Sequence, residues 1–149
     1  MECKVRDVTI YYEEAGAGRP LLLLHGRPLD HRHMANDMEP LFAHRTGWRR
    51  LYPDLPGMGK TRAADWITCQ DQVLDLVSAF IDAVAPGERF VVAGTSYGGY
   101  LARGLVNYPR ATFAVLDRAG HALAVEQKTL FRALVNEWLD RVEEYVASQ

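Results

Sequence analysis

The stretch "RFVVAGTSYGGYLARG", Arg89 to Gly104, decides the reading of this chain. "RFVVAG" is a short continuous apolar run, as expected for a parallel strand buried on both faces. Residues 96–107 read as a helix ended by Pro109. Between strand and helix stands Gly94-Thr95-Ser96-Tyr97-Gly98, which fits G-x-S-x-G. A serine on a tight, strained strand-to-helix turn projects its hydroxyl above the sheet, the setting of a nucleophile elbow. Residues two before and two after that serine crowd each other and the neighbouring strand, so glycine is needed at 94 and 98. Gly99 gives further room for the helix on the sheet. The helix N-terminus under Ser96 supplies unpaired N–H groups and a positive dipole end for a developing oxyanion.

The elements on either side support this strand–turn–helix reading. "CKVRDV" and "TIYYEEAG" alternate apolar and polar residues, as strands of a hairpin or meander do. "GAGRP" is a turn, and "LLLLHG" is a second continuous apolar strand. A helix is expected from about His33 to His44, with Met34, Met38, Leu41 and Phe42 at helical spacing. "WRRLYPDLPG" reads as strand then loop. Thr68 is the expected N-cap of the next helix, with Asp71 in its first turn. Val73, Val77, Phe80 and Val84 form its apolar stripe. "TFAVLD", residues 112–117, reads as a further strand. The last helix runs to about Val146, with Leu130, Leu134, Trp138, Val142 and Tyr145 on one stripe. The order β-β-β-α-β-α-β-α-β-α argues for an α/β fold. Its sheet is mainly parallel, of about six strands, in a single domain over residues 1–149. Catalytic groups in such sheets gather at the carboxyl ends of the strands.

Composition narrows the function classes. The chain has 149 residues, 48% apolar and 24% charged, with a net charge of −2. That is ordinary globular usage, with no basic excess to hold nucleic acid or an anionic membrane. Two cysteines, Cys3 and Cys69, make neither a disulfide framework nor a zinc site and read as reduced thiols. The N-terminal "MECKVRDVTIYYEE" has no apolar h-region, and "LLLL" is far too short to span a bilayer. A cytoplasmic protein is the expectation. "Gly57-Met58-Gly59-Lys60-Thr61" ends as a phosphate-binding loop does, but Asp54 stands where that loop needs its first glycine. Arg62 to Ile67 reads as loop rather than helix. His31 and His33 form H-x-H, and with no third ligand they read as loop and helix-start residues rather than a metal pair.

"LLLLHGRP", "YPDLPGMGKT", "VVAGTSYGG" and "VLDRAGHALAVEQ" occur in this order along essentially the whole chain. Together they resemble the α/β-hydrolase superfamily, of the esterase, haloperoxidase and C–C hydrolase type. The resemblance implies Ser96 as nucleophile and His121, between a strand and the last helix, as general base. It implies backbone N–H groups of Arg27 and Tyr97 as the oxyanion hole. His25 would be structural, its ring bracing the loop. No metal or cofactor is called for.

The chain departs from the family pattern after the elbow helix. "ARGLVN" runs directly into "YPRATFAVLDRAGH". In the family a sixth strand, a cap of helices and an acid-bearing seventh strand intervene. Their absence implies an open site and leaves the catalytic acid unlocated. Asp30, Asp54, Asp117 and Glu126 are the nearby carboxylates, and none matches the family position. The reading is a serine hydrolase for small esters or acyl compounds. Alternatives are an impaired or inactive shortened relative with a binding or scaffold role (or a deletion derivative), and peroxidase-like or C–C bond-cleaving chemistry on the same serine. If the last strand does not pair beside the serine strand, the sheet keeps an apolar edge, and a homodimer through that edge is expected.

Overall fold

A computed structural model of the chain describes residues 1–105 and 121–148. The chain divides into two compact units, Met1–Asn107 and Tyr108–Gln149. The expected strand at 112–117 and Asp117 lie outside the described residues.

The first unit is built on five strands: β1 Glu2–Val5, β2 Val8–Ala15, β3 Arg19–Leu24, β4 Trp48–Pro53 and β5 Val91–Gly94. They form one sheet in the order β1-β2-β4-β3-β5. β4, β3 and β5 are parallel, with Leu22 opposite Leu51 on one side and Val92 on the other. β1 and β2 pair as a hairpin, and β2 joins β4 antiparallel. The sheet is therefore α/β, with the expected meander added to one edge of a parallel core. Among the described residues β5 forms the other edge.

Three helices complete the unit: α1 His31–Met38, α2 Gln70–Val84 and α3 Tyr97–Leu105. Alternation along β3 divides the core between the two faces of the sheet. Leu22 and Leu24 pack with Leu51, Ile10 and Tyr12 against α2 and with Leu101 of α3. From α2 come Val73, Val77 and Phe80, as the stripe predicts, with Leu76 and Ile81 beside them. On the opposite face, Phe42 meets Trp48 edge-on at 6.1 Å. There the buried Arg50 is held by Glu39, Nε to Oε1 at 2.7 Å and Nη2 to Oε2 at 3.0 Å. All four leucines of "LLLL" are fully buried because helices and neighbouring strands cover both faces.

Two helix boundaries differ from expectation. α1 begins at His31 because Asp30 caps it, accepting from the Arg32 N–H at 3.0 Å. It ends at Met38 and passes into a 3₁₀ turn, Glu39–Leu41. Pro40 has no N–H for an α-helical bond, which shortens the expected 33–44 helix. The N-cap of α2 is Cys69, not Thr68. Gln72 reaches back so that its Oε1 accepts from the N–H groups of both Thr68 (2.7 Å) and Cys69 (3.1 Å). That is the reciprocal half of a capping box, and it selects the residue three places before Gln72.

The second unit contains α4, Leu123–Glu126, and α5, Lys128–Ala147. α5 reaches the end expected for it, but its covered face is displaced. Leu130 and Tyr145 of the expected stripe are exposed, while Leu139 is fully buried. Apolar residues at 130, 131, 134, 135, 138, 139 and 142 offer two adjacent stripes, and spacing alone does not choose between them. Among the described residues no helix is long and apolar enough to cross a membrane.

Candidate active site

The carboxyl ends of β3 and β5 lie side by side, and the turns that leave them form the site. The Thr95 N–H donates to the Leu24 carbonyl at 3.1 Å, tying the end of one strand to the other. Ser96 follows with φ 51°, left-handed backbone that a side-chain-bearing residue seldom adopts. The chain then closes at once into α3, with Gly98 N–H on Thr95 O at 2.9 Å and Tyr100 N–H on Ser96 O at 3.1 Å. A Cβ at Gly94 would overlap the Gly98 backbone, and one at Gly98 would overlap the Leu24 carbonyl. The crowding argued from the sequence is thus present at both glycines. Ser96 itself is exposed.

The loop after β3 meets this turn through Gly26. A Cβ there would come within 3.1 Å of Ser96 Cβ and 3.7 Å of its Oγ. The next peptide, Arg27–Pro28, is cis. Among the described residues the Arg27 and Tyr97 N–H groups donate no hydrogen bond. Each follows directly on Gly26 or Ser96 in the chain. The Arg27 guanidinium lies over the Tyr97 ring, 5.0 Å from its centroid. Burial pushes the Tyr97 hydroxyl's pKa up, against the pull of Arg27. The hydroxyl has no hydrogen-bond partner among the described residues.

His25 is fully buried. Its Nε2 accepts from the Leu55 N–H at 2.9 Å, so the proton of the neutral ring belongs on Nδ1, which donates to Gly26 O at 2.9 Å. Both ring nitrogens are used in joining the β3 loop to the loop after β4. Burial holds the ring's pKa below the usual histidine value. This is the bracing role expected of His25.

The loop after β4 is organised by Asp54, also fully buried. Asp54 Oδ1 accepts from the N–H and Nδ1 of His31, each at 2.8 Å, and Oδ2 accepts from the Lys60 N–H at 2.8 Å. Gly59 passes so close that a Cβ would overlap this carboxylate. Residues 62–69 contain no helix, so "GMGKT" is a turn wrapped around a buried acid, not a phosphate loop. Asp30 pairs with Arg32 at 2.6 Å, which holds its carboxyl down at about 2. Ligand atoms of Asp30, His31 and Asp54 lie within 4.8 Å of one another. The hydrogen bonds just described engage all three residues. His33 lies two residues further along α1, 3.6 Å from Asp37.

Sequence reasoning read Asp30 and Asp54 as carboxylates near the site and missed their structural work. "Asp30" directly before a helix start was a legible N-cap signal. The Asp54 contact with His31 joins residues on two different loops and left no local pattern. His121 lies in the second unit, exposed, in the turn before α4, and Glu126 is exposed within α4.

A serine on a left-handed turn between a parallel strand and a helix, with a glycine loop against it, has the local geometry of the elbow expected from the sequence. A model of the Alpha/beta hydrolase family matches residues 21–145, and the chain belongs to that family. It is 35% identical over 95 residues to the AB hydrolase superfamily protein YisY of Bacillus subtilis (strain 168), covering 64% of this chain and 34% of that protein. An alpha/beta superfamily hydrolase from Oenococcus oeni PSU-1 superposes with a TM-score of 0.62 at 34% identity, over 70% of this chain and 38% of that one. A thermophilic esterase from Thermogutta terrifontis gives 0.57 at 28% identity, over 66% and 35%. The matched part of the chain thus spans little more than a third of the length of these relatives.

Proposed function

We propose that this chain is a serine hydrolase for small carboxylic esters. Ser96 Oγ attacks the acyl carbonyl while His121 takes its proton. The tetrahedral oxyanion forms against the N–H groups of Arg27 and Tyr97. Collapse expels the alcohol, which receives the proton from His121, and leaves an acyl group on Ser96. Water, activated by the same histidine, then releases the acid and restores Ser96. The observation that carries this reading is the exposed Ser96 at φ 51°, with Gly26 against it and the Arg27 and Tyr97 amides, next in the chain to Gly26 and Ser96, donating no hydrogen bond among the described residues. The esterase among the structural relatives agrees with it. A fluorophosphonate probe tests it. Labelling of the wild type that disappears in Ser96→Ala is expected, and an unlabelled wild type or an equally labelled variant refutes it.

A second reading is favoured by a specific observation. Asp30 and Asp54 are committed to a helix cap and to His31 and Lys60, so neither has a carboxylate oxygen free of structural duty. A chain without an orienting acid would be a slow enzyme or a binding relative. In a Ser-His-Asp triad, disabling the acid lowers kcat by about 10⁴. Hydrolysis of a p-nitrophenyl ester above the uncatalysed rate, abolished by Ser96→Ala, decides for the enzyme.

A further inference from the structure

Arg27 does two separate things at this site. Its backbone N–H faces the reaction proposed above, but its side chain is exposed and turns onto Tyr97. The Tyr97 ring is a firm seat. It packs against the main core cluster on one side and stacks on Tyr100, with centroids 6.4 Å apart and planes 10° from parallel. The guanidinium is therefore held on an aromatic platform, with Tyr97 one residue from Ser96 in the turn after β5 and Arg27 one residue from Gly26 in the loop after β3.

Among the described residues Arg27 has no carboxylate partner. The nearest acid in its own loop, Asp30, is taken by Arg32 through three contacts of 2.6 to 3.2 Å and by the α1 cap. Of the two arginines flanking this loop, one is neutralised and the other is left open beside the nucleophile. A guanidinium on a ring keeps its planar edge, and hence its paired N–H donors, available to a carboxylate.

We propose that the Arg27 side chain selects substrates that carry an anionic carboxylate on the acyl portion, such as the half-esters of short dicarboxylic acids. This rests on the reading of Ser96 as the reacting group. The acyl carbonyl sits at the serine, and the far carboxylate is met by Arg27 across the Tyr97 face.

The experiment compares p-nitrophenyl hexanoate with the mono-p-nitrophenyl ester of adipic acid, uncatalysed rates subtracted. The two acyl chains have the same length and differ in the terminal charge. The wild type is expected to favour the adipate in kcat/KM by about five- to tenfold at low salt, with the preference shrinking as salt is added. In Arg27→Gln the ratio falls to near one, whatever happens to both absolute rates, and Arg27→Lys gives an intermediate ratio. Lys4→Gln, an exposed cation on β1, leaves the ratio unchanged. Equal ratios in wild type and Arg27→Gln overturn the anion site while leaving the hydrolase reading intact. If neither ester is turned over, monomethyl adipate is titrated against both proteins by amide chemical shift. Binding that requires Arg27 then keeps the anion site and refutes the hydrolase reading; equal or absent binding overturns the site.

Discussion

β3 and β5 are near-equivalents in composition, short aliphatic parallel strands that each end in a glycine-bearing turn. β3 has a strand on either side and helices over both faces, and its four leucines are fully buried. β5 has one neighbour among the described residues and remains half-exposed throughout. Their turns diverge in the same direction. His25, after β3, spends both ring nitrogens on backbone groups, whereas Ser96, after β5, stays exposed on strained backbone. The buried strand thus anchors a brace, and β5, an edge strand among the described residues, leads to the exposed serine. The strain at Ser96 is tolerable because Gly94 and Gly98 let the turn lock onto the Leu24 end of β3.

The contrast breaks most completely at the serine. Ser96→Ala is expected to lower ester turnover by at least about 10² while leaving the unfolding free energy within about 1 kcal/mol of wild type. Mass spectrometry of the acylated protein and urea denaturation read the two effects. His25→Ala should do the reverse, chiefly destabilising. Next in size is a pair of core truncations. Leu24→Ala is expected to destabilise by about 3 kcal/mol, and Val92→Ala, on the half-exposed strand, by about 1 kcal/mol. Equal losses in urea would show that β5 is as well covered as β3.

Gly98→Ala forces a methyl onto the Leu24 carbonyl and should destabilise by about 2 kcal/mol. Gly87→Ala meets no atom within 4 Å and carries only its positive φ, so about 1 kcal/mol is expected. Thermal melts of the two variants side by side separate crowding from backbone strain. The smallest effect concerns pH. The free imidazole titrates near 6.5, and burial lowers this value for His25 in the native state. Below that pH the unfolded chain binds the proton more readily than the native one. The His25 contribution is therefore fully present above about pH 6.5 and is lost as pH falls toward the native value. His25→Gln, measured by urea denaturation from pH 5 to 8, should flatten that fall and cost about 1 kcal/mol at pH 7.5.

Much of the molecule was legible along the chain because its signals are local. Continuous apolar runs marked β3 and β5, period-2 alternation marked β1 and β2, and the Val73–Phe80 spacing marked α2. The G-x-S-x-G pattern placed Ser96 and explained both glycines by crowding alone. Local reasoning failed where two solutions share one pattern. The stripe of α5 could lie on Leu130 or on Leu139, and the cap of α2 could be Thr68 or Cys69. It failed again for buried polar groups with partners on other elements, as for Asp54 with His31, or Arg50 with Glu39.

By itself the sequence determined the α/β class, the order of strands and α-helices from β1 to α3 and the strand–turn–helix on which Ser96 stands. Backbone sterics and apolar periodicity act within a few residues, and so are written in the chain. Only the tertiary structure decided that Asp54 is tied to His31, that Gly26 lies against Ser96, and that the Arg27 guanidinium rests on Tyr97. Those facts depend on which strand ends the sheet sets side by side. Parallel pairing joins β3 to β5 across nearly seventy residues of chain, a distance over which no local pattern carries information.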